Sequence, residues 1–153
     1  MSEIATENVL KKLWKTFWVS IVLPLLLFMS VVLVHQLGIR ITAPGNIRIW
    51  GISLLVFSVA FGVAVPVLLR TSFHGRYVKE NSVVISEYLI YQRNIIIVCS
   101  MAIVSASLAY LFIVSPFYMY GSILAALYGV YSVLPFRIKI ENELRIYKLD
   151  GSY

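Results

Sequence analysis

The sequence predicts an all-α integral membrane protein, a four-helix bundle with short interfacial segments at its two ends. Of the 153 residues, 60% are hydrophobic and only 13% are charged, whereas a soluble domain carries about 25% charged residues. The mean hydropathy is +0.87. The apolar residues fall in four long stretches that contain no Asp, Glu, Lys or Arg, and roughly 20 such residues are enough to cross a bilayer.

The four predicted spans cover residues 16–37, 49–69, 95–114 and 117–134. No segment between or beside them reaches the length of about 40 residues below which a domain seldom folds unaided. Residues 1–153 are therefore expected to form a single transmembrane domain. The first stretch is longer than the roughly 7–15 apolar residues of a cleaved signal peptide, so it is interpreted as a retained span.

The N-terminal segment is predicted to form an interfacial helix that runs into the first span. Ile4, Leu10 and Leu13 stand among polar neighbours at helical spacing, as in helices that lie at a membrane surface. Pro24 and Pro66 fall inside the first and second spans. Each proline removes a backbone N–H donor, and a bend of the helix is expected at each.

The loop between the first two spans, residues 38–48, alternates apolar and polar residues around Pro44 and Gly45. This pattern indicates a β-hairpin. The alternative is that both spans continue as helices to a tight Pro-Gly connection.

A longer connection follows the second span, with a turn expected at residues 73–76. Asn81 or Ser82 is expected to cap a helix that continues into the third span. The third and fourth spans join at Ser115 and Pro116, which leaves room only for a tight antiparallel turn.

The C-terminal tail is interpreted as an interfacial helix. Ile140, Leu144 and Tyr147 would share one face, and Glu141 would pair with Arg145 four residues on. The alternative is a strand, because apolar residues also alternate at the start of this tail.

The basic residues predict that both termini are cytoplasmic. Of the 13 Lys and Arg residues, only Arg40 and Arg48 lie between the first and second spans, and membrane proteins concentrate Lys and Arg on the cytoplasmic side. All 7 acidic residues accompany the other basic residues, so the net charge of +6 is not a one-sided patch. Nucleic acid is not expected as a partner, and the predicted location is the cytoplasmic (inner) membrane, with several passes.

Small residues predict where the helices pack. Gly121, Ala125 and Gly129 recur at every fourth position of the fourth span, and Ser58 and Gly62 do so in the second. In lipid, such residues let helix backbones approach closely. The favoured interpretation is packing against the third span within one chain. The alternative is an interface with a second copy or with a partner subunit.

The predicted spans contain no acid or base in their interior, which argues against proton-coupled transport. His35 is interpreted as a satisfied histidine at the outer interface. Cys99 lies in an apolar helix, where a thiol is inert. The sequence shows no metal-ligand cluster, nucleophilic triad or phosphate-binding glycine loop, so no catalytic residue, metal or cofactor is expected.

The best candidate polar site lies at the cytoplasmic ends of the second and third spans. Arg70, His74, Arg93 and Asn94 are expected to contact an anion or a lipid headgroup there. The alternative is that Arg93 only extends its charge into water from an otherwise apolar stem.

Together these features favour a non-enzymatic accessory or scaffold subunit, in contact with membrane lipids and with either further copies or a larger membrane complex. The first alternative is an oligomeric channel or uncoupled transporter lined by Ser100, Ser105, Ser107 and the tyrosines of the fourth span. A membrane-embedded enzyme acting on lipid or quinone is favoured less, because no catalytic constellation occurs.

Overall fold

The protein is helical throughout the computed structural model, which describes residues 3–39, 41–80 and 83–147, and the side chains of 6–39, 41–77 and 83–147. No strand occurs within these residues. The prediction of an all-α helical bundle is confirmed. The elements are α1 (Glu3–Gln36), α2 (Ile47–Val59), a π-helical segment (Ala60–Ala64), α3 (Val65–Glu80), α4 (Ile85–Leu111), α5 (Pro116–Val133) and α6 (Arg137–Ile146).

Three of the described helices are long and apolar enough to cross a membrane, namely Thr6–Gln36, Ile47–Tyr77 and Ile85–Leu111. A fourth span is reached when α5 and α6, which are bent by 63° at their break, are taken together. α1 has 34 residues. At 1.5 Å per residue it is about 50 Å long, well beyond the roughly 30 Å of a hydrocarbon core. Part of this helix therefore extends outside the apolar layer.

α4 lies at the centre of the bundle, and α1, α2 and α5 all pack on it. Its residues Ile95, Cys99 and Ala102 are fully buried. The main core joins these to residues of α1 and α5. Around it, the outward faces of α1, α2 and α5 carry many exposed large apolar side chains, which is the distribution expected of helices whose solvent is lipid.

A second core closes one end of the bundle, which we call the cap. It forms where the start of α1, the end of α3, the start of α4 and all of α6 meet. Its buried residues are Val9, Leu13, Val83, Ile85, Tyr88, Ile140, Leu144 and Tyr147. The N-terminal and C-terminal helices thus lie at the same end of the molecule.

The C-terminal tail is helical from Arg137 to Ile146. The predicted helix is confirmed over these residues, and the alternative of a strand is wrong. The predicted ion pair of Glu141 is also wrong, because Glu141 accepts from Nε of Arg137 at 2.6 Å, one turn before it rather than after it.

The hydrogen-bond pattern of the second span changes from α-helical to π-helical just before Pro66. In the π-helical segment before it, the N–H of Val65 reaches back five residues to the carbonyl of Ala60. A proline ring collides with the carbonyl four residues earlier, and a π-turn moves that carbonyl aside. In contrast, α1 is one helix through Pro24.

Two predicted turns differ from the structure. Residues 39 and 41–46 form an irregular loop without a strand, in which Nε1 of Trp50 donates to the carbonyl of Pro44 at 2.8 Å. Arg40 lies outside the described residues. Neither the hairpin nor the tight connection occurs, because the helices end at Gln36 and resume only at Ile47.

Residues 73–76 are helical rather than a turn, because α3 continues to Glu80. The helix expected to run into the third span is confirmed from Ile85 onward. Its N-cap is Val84, whereas the predicted capping residues Asn81 and Ser82 lie outside the described residues.

Candidate functional site at the cap end

A set of polar residues from several helices lies at the cap. We call this set the polar cluster and define it by five residues from four helices. They are Arg70 of α3, Gln92 of α4, Ser132 of α5, and Lys139 and Glu143 of α6.

Glu143 ties α6 to α4. One of its carboxylate oxygens accepts from the hydroxyl of Tyr88 at 2.7 Å and from the amide nitrogen of Gln92 at 2.6 Å. The same nitrogen of Gln92 also lies 3.1 Å from the Tyr88 hydroxyl oxygen. Both donors are buried, Tyr88 completely. One carboxylate oxygen of Glu143 thus accepts two hydrogen bonds from α4.

Two cations converge on one backbone oxygen. Nη2 of Arg70 and Nζ of Lys139 each donate to the carbonyl of Ser132 at 2.6 Å. Ser132 is in the last turn of α5, where carbonyls lack helical partners and the helix dipole is negative. This end of α5 therefore holds α3 and α6 together through positive side chains.

The charges of the polar cluster are unequal, because two cations face one carboxylate. Lys139 lies in α6, beyond the apolar stretches of the sequence. The cluster consequently favours an additional negative charge.

Aromatic rings wall the polar cluster on the side of α3. Phe73 stacks on Tyr91 with ring centres 4.0 Å apart and planes 11° apart. Tyr147 meets Phe73 edge-on at 5.2 Å, and Tyr77 meets Tyr147 in the same way at 5.1 Å. Stacked and edge-on rings thus fill the cap on this side.

Two cavities lie on the side of the polar cluster away from the aromatic rings, next to α1 and α5. The smaller has about 10 Å³, room for roughly one water molecule, and Gln92, Lys139, Leu13 and Leu134 are among its walls. The larger is an apolar groove of about 360 Å³ along α1, α4 and α5. Leu134 lines both, so the groove ends beside the polar cluster.

The predicted packing residues come together inside the chain, but not against the expected helix. A Cβ built on Gly62 would lie 2.5 Å from the carbonyl oxygen of Ala125, and one on Gly129 would lie 3.0 Å from Cα of Gly62. One on Gly121 would lie 2.8 Å from a methyl group of Leu55. The stripe of small residues on α5, formed by Gly121, Ala125 and Gly129, thus faces the second span and not the third.

Ser58, the other predicted packing residue, links the second and third spans. It is fully buried, and its hydroxyl donates to the carbonyl of Ala102 at 3.1 Å. Gly62, one turn further on, would bring a Cβ within 3.4 Å of the Ala102 side chain. These two small residues therefore lie where three helices meet.

The predicted anion site is divided by the structure. Arg70 belongs to the polar cluster, and His74 lies beside it, with its ring centre 6.3 Å from that of Tyr147. Arg93 and Asn94 are exposed on α4, one and two positions past the buried Gln92. Of the four predicted residues, the polar cluster thus contains only Arg70, and His74 is its neighbour.

Sequence reasoning missed Lys139 and Glu143. The signal is present in the sequence, because Lys139 directly precedes Ile140 and Glu143 directly precedes Leu144, two residues of the predicted apolar face of α6. A charged residue at the edge of a buried helix face is a candidate for a satisfied polar contact. Tyr88 and Gln92, which donate to Glu143, could not be identified without knowing where α6 packs.

His35 has one ring nitrogen that is buried without a partner in the described part of the chain. The His35 ring lies against Tyr110, with centres 4.9 Å apart, and its Nδ1 is buried without a hydrogen-bond partner among the described residues. The expectation of a fully satisfied histidine is therefore wrong for this nitrogen.

Cys99 is a fully buried free thiol. The described residues hold no group of three or more His, Cys, Asp or Glu side chains placed to bind a metal.

Comparisons of the chain with protein-family models, with characterised proteins and with solved structures give no match.

Proposed function

We propose that this protein is a non-enzymatic accessory or scaffold subunit of a complex in the cytoplasmic membrane, with both termini in the cytoplasm. The orientation is supported by the charges. The cap carries the basic residues of the polar cluster, whereas Arg48 stands at the opposite end, beside the N-cap of α2. Lys and Arg are concentrated on the cytoplasmic side, so the cap faces the cytoplasm.

The observation that carries the proposal is the outer face of α5. Tyr120, Leu124 and Tyr128 follow one another at every fourth position and are exposed by 60%, 66% and 52% of their surface. Each of these residues directly precedes a residue of the stripe Gly121, Ala125 and Gly129, so this face lies about 100° around the helix from the side that packs on the second span. It is therefore free within the chain and continuous along the helix.

Tyr128 makes this face chemically unusual for one that contacts only lipid. It lies five residues before the end of α5 at Val133, which corresponds to about 8 Å of depth. In the described part of the chain its hydroxyl has no hydrogen-bond partner. A polar group at this depth is satisfied most readily by a neighbouring helix. A transmembrane helix of a partner protein, with an acceptor at this level, fits the face.

The channel alternative has less support. The hydroxyls of Ser100, Ser105 and Ser107 donate to carbonyls of their own helix, at 2.7, 3.2 and 2.7 Å. Ser100 and Ser107 are also buried within one chain. A pore lined by them together with the tyrosines of α5 would require the bundle to open.

The experiment removes the hydroxyl of Tyr128. The tagged protein is extracted from its native membrane in a mild detergent, and the mass and subunit ratio of the complex are measured. We expect Tyr128→Phe to lower the recovery of the partner subunit. Tyr118→Phe is the matched control, because Tyr118 packs on Gly51 inside the chain. A protein that runs as a lone monomer, both in detergent and after cross-linking in the membrane, would contradict the proposal.

A further inference from the structure

The apolar groove and the polar cluster form one continuous surface with two chemically different ends. The groove runs between α1 and α5, with α4 as its floor. The small cavity continues along the same three helices, one turn further on α1, from Phe17 to Leu13. At that end stands Lys139. A ligand that fits this surface has an apolar chain and a negatively charged head.

We propose that this surface binds an anionic phospholipid of the cytoplasmic leaflet, with one acyl chain in the groove and its phosphate at Lys139. The proposal takes the orientation of the cap from the proposed function. It does not use the face formed by Tyr120, Leu124 and Tyr128, because the groove is lined by other residues of α5 and the ligand is a lipid.

Size and chemistry of the groove support an acyl chain. Its volume of about 360 Å³ is within the roughly 300–1,000 Å³ of ligand pockets. Every wall is apolar or aromatic. The lining residues are Phe17, Trp18, Ile21, Leu25, Phe28, Ile103, Ala106, Ile123, Ala126, Leu127, Val130 and Leu134.

A flexible chain fits the groove better than a partner helix does. Close packing between helices in lipid needs small residues on the facing rims. Here the rim on α1 is made of bulky side chains, among them Trp18, Leu25 and Phe28. Small residues line only the deep part of the groove, at the buried Ala106 of α4 and Ala126 of α5. A helix would be held away from that floor, whereas a hydrocarbon chain reaches it.

The head end supports a phosphate. Lys139 uses one of its three N–H donors on the carbonyl of Ser132, which leaves two for a ligand. Arg70 shares that carbonyl and adds a second positive charge. The nearby carboxylate of Glu143 is already bonded to Tyr88 and Gln92. Trp18, exposed by 54%, lies on the groove rim where its indole can reach headgroup depth.

The test measures lipid retention by native mass spectrometry. Delipidated full-length protein in detergent is titrated with phosphatidylglycerol and with phosphatidylcholine of the same acyl chains. We expect tighter retention of phosphatidylglycerol, and Lys139→Gln is expected to weaken it about fivefold. Lys139→Arg should preserve it. Lys12→Gln is the control for unspecific attraction, because Lys12 is exposed on the N-terminal part of α1, and it should leave retention unchanged.

The groove is tested separately with a bulky residue. Val130→Phe is expected to lower retention of both lipids, whereas Val56→Phe, on an exposed face of α2, should not. Inorganic phosphate should fail to compete, because it lacks the chain. Thermal melting of each variant in detergent identifies any that misfolds, and the arginine variant then decides the headgroup question. Equal retention of the two lipids, an inert Lys139→Gln, or an inert Val130→Phe would each overturn the proposal.

Discussion

At the scale of single residues, the bundle depends on a glycine that admits no side chain. Gly62 lies where the π-helical segment of the second span meets α5, and a built Cβ would be 2.5 Å from the carbonyl oxygen of Ala125. A backbone atom cannot turn away as a flexible side chain can. Any side chain at this position must therefore push α5 off the second span.

We predict that Gly62→Ala destabilises the protein by about 1–3 kcal/mol, as overpacking does in other cores. Gly75→Ala is the matched control. Gly75 is inside α3 and a Cβ there would meet nothing within 4 Å, so alanine should stabilise the helix by about 0.5–1 kcal/mol. Thermal unfolding in detergent measures both variants. Equal behaviour of the two would show that the close contact is absent.

The buried donors to Glu143 give a second prediction at this scale. Glu143→Ala leaves the hydroxyl of Tyr88 without its acceptor and leaves the Gln92 amide with only the Tyr88 oxygen. An unsatisfied buried group costs about 1–3 kcal/mol. We expect faster hydrogen exchange in α6 and lower stability. Glu141→Ala, which removes only an exposed ion pair with Arg137, should cost less than about 1 kcal/mol. Similar losses in both variants would contradict the role assigned to Glu143.

At the scale of elements, α6 is a docked helix rather than a free tail. Ile140 and Leu144 are each only 1% exposed, whereas Ile146 is 57% exposed. Leu144→Ala should cost about 2–5 kcal/mol and release α6 to proteolysis, whereas Ile146→Ala should stay within about 0.5 kcal/mol. Limited proteolysis of the cap, followed by mass spectrometry, distinguishes them. Resistance of the Leu144 variant would mean that α6 does not depend on this packing.

The elements that sequence reasoning predicted well are those with one strong signal. Long uncharged stretches predicted the apolar helices, and the spacing of Ile140, Leu144 and Tyr147 predicted α6. The turn at residues 73–76 was wrong because a His-Gly pair is tolerated in a helix whose other face packs on α4. The hairpin was wrong because alternation over so short a loop also suits irregular structure anchored by Trp50.

The site was harder to predict, because its residues are brought together by packing. Arg70 was identified from its place at the end of a span. Its partner is a backbone carbonyl, that of Ser132, and no residue type signals such an acceptor. Likewise, residue spacing identifies the face of small residues on α5 but does not show which helix this face packs on.

At the scale of the whole molecule, the three long helices extend past the apolar layer at the cap end, and α6 fills the space between them. Small residues hold the middle of the bundle, and a charged and aromatic cap closes one end. This asymmetry gives the molecule two distinct surfaces, an outer face of α5 suited to a protein partner and a groove beside α1 suited to a lipid. Both surfaces presuppose that the bundle is embedded in a bilayer with the cap in the cytoplasm.

Labelling of single cysteines in intact cells tests that claim most directly. In a background with Cys99→Ala, we introduce Thr42→Cys in the loop opposite the cap and, separately, Asn142→Cys on the exposed side of α6. A membrane-impermeant maleimide is expected to label position 42 in intact cells and position 142 only after lysis. Labelling of position 142 in intact cells, or of both positions alike, would contradict the account.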